Sequence, residues 1–342
     1  MSMEDLLISP HLRSDQIGRT SVEADIRALM DEGALNHGWI LAGGNGAGKA
    51  TLAYRIARGV LAPADLTSSR SFDMLMDGQT VKLIASGAHP DLFVAERAWN
   101  EKTSKYQTEI TVETIRKLIS FLNRTPAFGG YRVAIIDTAD DLNRNAANAL
   151  LKVLEEPPAK TLLLLLAEAP GRLIATIRSR CRRIELRPVP DEEVINWLVA
   201  TDAASKDDAV IIAKNARGRP GYALKLATSD GASAITLANA FFNAAIGNGD
   251  LGKITQALSG KQSDEKWAIF RSVVLETLSD TARKLAQGVS PPFDFKTENP
   301  TTVLNAWETI STLITRGDAL NIDRAQLIGA MAHDLRTEIS GS

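Results

Sequence analysis

Residues 38–52 read Gly-Trp-Ile-Leu-Ala-Gly-Gly-Asn-Gly-Ala-Gly-Lys-Ala-Thr-Leu, and no other stretch constrains the fold as much. Trp39, Ile40 and Leu41 make a short apolar run. Gly43, Gly44, Asn45, Gly46, Ala47 and Gly48 form a glycine-rich loop that ends at Lys49. Leu52, Ile56, Ala57 and Val60 then recur at helical spacing. Strand, glycine loop and helix in that order are the setting of a phosphate-cradling P-loop. The glycines let backbone N–H groups turn toward phosphate oxygens. The helix N-terminus adds partial positive charge beneath them, and Lys49 would reach the outer phosphates. The competing reading is a glycine-rich turn that holds nothing; the agreement of spacing, lysine and flanking elements argues against it.

The loop departs from its pattern at one position. After Gly-Lys a Ser or Thr normally brings a hydroxyl to Mg2+; here the residue is Ala50. Thr51 follows, but one step along a helix turns a side chain by about 100°. Such a loop is expected to hold phosphate and is poorly built for the metal.

A second informative stretch is Val133 to Ile136, an apolar run closed by Asp137. A buried parallel strand with an acid at its C-terminal end is where an α/β sheet places its chemistry. Asp137 is therefore the candidate to hold Mg2+ through water. Thr138 stands where an ATPase of this type places its water-orienting Glu, and a threonine is no general base near neutral pH. Asp140 and Asp141 are expected to cap the next helix. In that helix Ala146, Ala149, Leu150, Val153 and Leu154 form an apolar stripe, which Pro157-Pro158 ends. Residues 161–167, almost wholly Leu, read as a strand buried on both faces. Gly171 is expected to open a helix through Ile174 and Ile177. It leads into Arg178-Ser179-Arg180-Cys181-Arg182-Arg183 and a last strand at 184–186.

Elsewhere the expectations are coarser. A helix is expected over 20–32, an irregular insertion over 61–90, a strand over 91–95 and a polar surface loop over 97–109. A helix starts after Thr111. Helices over 191–199, 207–215 and 220–227 precede amphipathic stretches at 235–245, 267–286, 303–314 and 324–335, divided by a loop holding Pro291-Pro292. His37 reads as a polar strand-entry residue, with no partner at metal spacing. A chain of 342 residues implies two or three domains. A net charge of -2 provides no global basic field for nucleic acid. The single cysteine, Cys181, excludes an internal disulfide and a multi-cysteine zinc site, and reads as a packed thiol. Glu4 and Asp5 near the start argue against a signal peptide. The longest apolar run, 162–167, is far too short to span a bilayer. A cytoplasmic location without membrane partners is the expectation.

Taken together, residues 43–49, Asp137 in its strand, Asn148-Ala-Leu-Leu-Lys-Val-Leu-Glu-Glu-Pro-Pro158 and Ser179-Arg180-Cys181 carry a resemblance. The chain resembles the clamp-loader branch of the AAA+ ATPases, in its bacterial DNA polymerase III form. The resemblance covers 15 to about 230 well and the C-terminal third only in general character. It implies an α/β P-loop (RecA-like, AAA+) parallel-sheet domain over 1–187, a small helical lid over 188–230 and an all-α, oligomerising collar over 231–342. It also implies a pentameric loader that opens a ring-shaped sliding clamp and closes it on primer-template DNA. The partners would be motor ATPase subunits and a clamp-opening subunit, with the clamp and DNA met through the complex. The arginine of Ser-Arg-Cys, here Arg180, would point across an interface at a neighbour's ATP. A guanidinium is always charged and forks well onto phosphate oxygens.

Departures from the family pattern shape the expected role. Motor subunits carry a four-cysteine zinc module after the P-loop helix; residues 61–90 hold no cysteine, so no zinc is expected. Ala50 and Thr138 replace two hydrolytic groups. In Gly218-Arg-Pro-Gly-Tyr-Ala-Leu224, Gly221 stands where an ATP-contacting arginine would fall, and Arg219 is shifted in register. The expected protein is a non-motor, stator-like subunit that binds ATP or ADP, hydrolyses it poorly or not at all, and lends Arg180 to a neighbour. Two alternatives stay open: an active motor ATPase in which Thr51 or Asp140 repairs the metal site, and a stand-alone DNA-binding P-loop protein.

Overall fold

A computed structural model describes residues 9–101, 105–260, 263–290, 293, 295 and 297–340. Glu4, Asp5 and Pro291-Pro292 lie outside the described residues. The chain folds as two compact units, Met1–Trp197 with Arg217–Tyr222, and Leu198–Ala216 with Ala223–Ser342.

In the first unit, β1 (Gly38–Ala42) and β2 (Leu92–Glu96) precede an antiparallel hairpin of β3 (Trp99–Asn100) and β4 (Lys105–Tyr106). β5 (Arg132–Asp137), β6 (Thr161–Ala167) and β7 (Arg182–Glu185) follow. The main sheet is parallel, in the order β2-β5-β6-β1-β7. Every residue of β1 and β6 is buried, as a sheet covered on both faces requires. Side chains alternate between the faces. Ile40, Ala42, Leu163, Leu165 and Ile136 pack on α4 (Val112–Leu122) and α5 (Arg144–Glu155), through Ile115, Leu118, Leu150 and Leu154. Trp39, Leu41, Leu162, Leu164 and Leu166 pack on α1 (Thr20–Asp31) and α2 (Lys49–Leu61), through Ile26, Leu52, Ile56 and Val60.

Several local expectations change. The 61–90 insertion contains a 3-10 turn, Pro63–Asp65, and a helix, α3 (Gln79–Ala85), whose Val81 and Ile84 are buried. The expected 97–109 loop contains the β3–β4 hairpin. The helix expected from Gly171 reduces to a 3-10 turn, Pro170–Arg172, and the single turn α6 (Ala175–Arg178). Asp140 and Asp141 do not cap α5. Asn143 does, accepting from the Ala146 N–H at 2.9 Å. Asp140 instead accepts from the N–H groups of Glu168 (2.6 Å) and Ala169 (2.9 Å). These donors lie just past the end of β6, where the sheet ladder no longer serves them. Asp141 pairs with Arg97 at 3.2 Å and accepts from the Thr138 hydroxyl at 3.2 Å.

The remaining elements among the described residues are helices: α7 (Asp191–Ala200), α8 (Lys206–Ala216), α9 (Pro220–Thr228), α10 (Gly231–Ala245), α11 (Leu251–Leu258), α12 (Asp264–Ala286), α13 (Pro300–Leu320) and α14 (Arg324–Ser340). The sequence pattern does not announce α11; Asp250 caps it, accepting from Gly252 N–H at 2.8 Å. The second unit's core holds Phe241, Phe242, Phe270, Leu278, Ile310 and Met331, with Phe241 edge-on to Phe270 at 5.7 Å. Among the described residues, no helix is long and apolar enough to cross a membrane.

Candidate phosphate-binding site

Strand register builds the site. Leu41 lies opposite Leu166, and Ile136 opposite Leu165. The Gly43 N–H extends the ladder to the Ala167 carbonyl at 3.0 Å. The loop after β1, Asp137 at the end of β5 and Glu168 just past β6 therefore meet at the C-terminal edge of the sheet. That edge is where open α/β sheets bind ligands.

The loop's glycines are required by geometry. Gly46 has φ +78 and Gly48 φ +90, a region that favours glycine. A Cβ at Gly46 would also fall 2.6 Å from the Tyr222 backbone nitrogen. Gly48 begins α2 without a side-chain cap, leaving first-turn N–H groups for a ligand. A cleft of about 280 Å3 results, bordered by Asn45, Gly46, Gly48, Lys49, Ala50 and Thr51 from the loop and α2. Asp137, Thr138 and Glu168 border it from the strand ends. Gly43, Gly44 and Ala47 shape the loop from behind. Gly43 and Gly44 offer their carbonyls to Lys49, and the Ala47 carbonyl accepts from Arg19 at 2.9 Å. Gly221 also borders the cleft, its N–H on the Gly46 carbonyl at 2.8 Å. Arg219 stacks on Tyr222 with 4.4 Å from guanidinium to ring centre.

Lys49 is buried, and its ammonium donates to the carbonyls of Gly43 (2.7 Å) and Gly44 (3.1 Å). The Glu168 carboxylate stands 3.8 Å away. Burial lowers the lysine's pKa, while Glu168, Asp137 and Asp140 pull it back up. Burial also raises the Asp137 pKa; Lys49 opposes this, and Glu96, Glu168 and Asp141 add to it. The backbone donors, positive-φ glycines and lysine fit phosphate groups. Ala50 presents only a methyl where the metal-binding oxygen would stand. Among the described residues, no group of three or more His, Cys, Asp or Glu side chains is disposed to hold a metal.

Asp137→Asn is expected to raise the thermal midpoint of the isolated chain near neutral pH. Burial places the native pKa above the ordinary value of 3.8. Between those two values the native state binds more protons than the unfolded chain, so this carboxyl's contribution is lost as pH rises through that window. A neutral Asn escapes the loss. Its advantage should grow as pH rises above about 4, be present at pH 7.5, and vanish at lower pH, where both states carry the protonated acid. Thermal melts of both proteins across that range check it; an Asn variant that melts lower at pH 7.5 refutes it.

Arg180 occupies the other end of the sheet. It follows α6, and its backbone carbonyl lies 3.7 Å from where a Cβ of Gly38, the first residue of β1, would stand. Its guanidinium pairs with Glu155 at 2.7 Å and donates to the Thr176 carbonyl at 3.0 Å. Cys181 packs against the core, and burial pushes its thiol up to about 11. His37 meets the Leu154 carbonyl at 3.1 Å, a strand-entry contact. Glu168 is the site residue that sequence reasoning misses. A signal for it exists: it follows a buried apolar strand much as Asp137 closes one.

A family model described as "DNA polymerase III, delta subunit" matches residues 18–190. The delta' subunit of DNA polymerase III from Escherichia coli K12 is 31% identical over 197 residues, 58% of this chain and 57% of that subunit. The delta' subunit from Pseudomonas aeruginosa is 37% identical over 163 residues, 47% of this chain and 46% of that subunit. The aligned stretches span about half the length of these curated relatives. Among solved structures, a DNA polymerase III gamma subunit-related protein from Thermotoga maritima superposes with a TM-score of 0.41 at 16% identity, covering 92% of this chain and 98% of that one.

Proposed function

Because the chain belongs to the delta-prime, clamp-loader family of DNA polymerase III, we propose that it is a stator-like, non-motor subunit of such a loader. In this reading it helps load a sliding clamp onto primer-template DNA, in company with motor ATPase subunits and a clamp-opening subunit. Residues 1–187 form its nucleotide-binding domain, 188–230 its lid and 231–342 its oligomerising collar. Residues 43–51 and Asp137 hold ATP or ADP without turning it over, and Arg180 serves a neighbour's nucleotide.

The observation that carries the reading is the separation of Arg180 from the chain's own cleft. The two lie at opposite ends of β1, five residues long; at roughly 3.3 Å per residue that is about 16 Å. A guanidinium there cannot reach a phosphate on its own loop, so any nucleotide it serves belongs to another chain. Ala50 at the metal position supports the non-hydrolysing half of the reading. So does Thr138, whose hydroxyl is engaged by Asp141.

Steady-state ATP turnover by the isolated chain tests it. The expected result is turnover at background with Mg2+ present, unchanged by Lys49→Ala. Mg2+-dependent hydrolysis that disappears in Lys49→Ala would make the chain a motor and end the stator reading.

A further inference from the structure

We propose that Glu168 is a specificity-determining residue, whose carboxylate occupies the lysine that an outermost phosphate needs and so turns the cleft toward nucleoside diphosphates and away from triphosphates. This rests on the reading of the cleft as a nucleotide site.

The placement of Glu168 is built into the fold. Its own N–H and that of Ala169 are gripped by the two oxygens of Asp140, at 2.6 and 2.9 Å. This fixes the main chain at the end of β6 and sends the residue to the cleft border. There its carboxylate stands 3.8 Å from the Lys49 ammonium. That ammonium also donates to the loop's own carbonyls, Gly43 and Gly44. Lys49 is thus already satisfied from within the chain.

Local charge sets the direction. Among the described residues bordering the cleft, Lys49 is the one cation, and Asp137 and Glu168 are two acids. Two guanidiniums flank the loop without bordering the cleft: Arg19 donates to the Ala47 carbonyl at 2.9 Å, and Arg219 stacks on Tyr222. A triphosphate brings about one more negative charge than a diphosphate, and places it where Lys49 would normally neutralise it. Here that charge must displace a carboxylate from the lysine and then remain beside it, and like charges at such separations repel strongly away from bulk water. Ala50 removes the hydroxyl that would help seat a screening Mg2+. The Glu168 side chain is 44% exposed, so it can swing aside. The effect is a preference of about tenfold or more, equivalent to at least about 1.4 kcal/mol.

The test uses the full chain, without divalent cations, titrated with ADP and with ATP by calorimetry. The expected result is ADP binding about tenfold or more tighter than ATP. In Glu168→Gln and Glu168→Thr the gap should close, chiefly through a gain in ATP affinity, with melting curves confirming that both variants fold. ATP binding as tight as ADP in the unsubstituted chain, or a ratio unchanged in both variants, overturns Glu168's role and leaves the nucleotide site standing. Binding of neither nucleotide by the unsubstituted chain overturns both.

Discussion

Replacing Arg180 with Ala is expected to slow ATP hydrolysis at the interface that receives it by about 10³-fold or more, the scale on which an arginine supplied in trans acts. The isolated chain should fold unchanged. The Arg180 side chain is 35% exposed and its partner Glu155 48% exposed; a pair so open to water contributes about 0–1 kcal/mol. That weakness suits the proposed role, because a phosphate can take the guanidinium from Glu155 at little cost. Arg180→Lys keeps the charge but loses the planar fork, so it should recover only part of the rate. Single-turnover hydrolysis in a loader reconstituted with motor and clamp-opening subunits checks this, with native mass measurements confirming assembly. Full-speed hydrolysis in an assembled Arg180→Ala complex would remove the arginine from the mechanism.

The second large effect is on stability. Glu23→Ala is expected to cost about 3–5 kcal/mol, the usual result of breaking a buried ion pair from one side. Glu23 on α1 and Arg55 on α2 are both buried, and their two bonds measure 2.6 and 2.9 Å. Glu23 also accepts from the Phe72 N–H at 3.1 Å. Burial pulls the Arg55 pKa down, and its hydrogen bonds to Glu23 and Asp73 more than restore it. Without Glu23, the acid left to Arg55 among the described residues would be Asp73, whose side chain is 60% exposed. Burial beside Arg55 already pulls the pKa of the almost wholly buried Arg58 down to about 10, and the charge of Glu23 opposes that fall. These two arginines also donate to the carbonyls of Ser14, Arg13 and His11, tying down the segment that leads to the cleft-bordering Pro10. Denaturant unfolding of the full chain, followed at the transition of the sheet unit, measures the loss. A change below about 1 kcal/mol would mean that water compensates the stranded guanidinium.

Much of the sheet unit is legible in the amino-acid sequence. Glycine spacing marks the loop, and leucine runs mark the buried strands. The stripe of Ala146, Leu150, Val153 and Leu154 marks α5, because periodicity reports burial directly. Short elements escape. α3 and α11 are seven and eight residues long, too brief for a periodic pattern to stand out. The β3–β4 hairpin pairs only two residues on each side. Acids are good helix caps in general, which points to Asp140 and Asp141 for α5. Asn143 holds the position, and Asp140 turns to two N–H groups 28 and 29 residues away.

The sequence by itself determined the strand-loop-helix frame and the groups missing from it: Ala50 without a hydroxyl, Thr138 without a carboxylate and Gly221 without a guanidinium. The frame depends on residue type at fixed local spacing, and the missing groups on setting that spacing beside the pattern of the family the chain resembles. Only the tertiary structure decided that Glu168 stands against Lys49, that Arg180 lies at the far end of β1 from its own cleft, and that Glu23 neutralises Arg55. Each of these joins segments distant in sequence. Strand register and helix packing set which of them meet, and no local pattern encodes those.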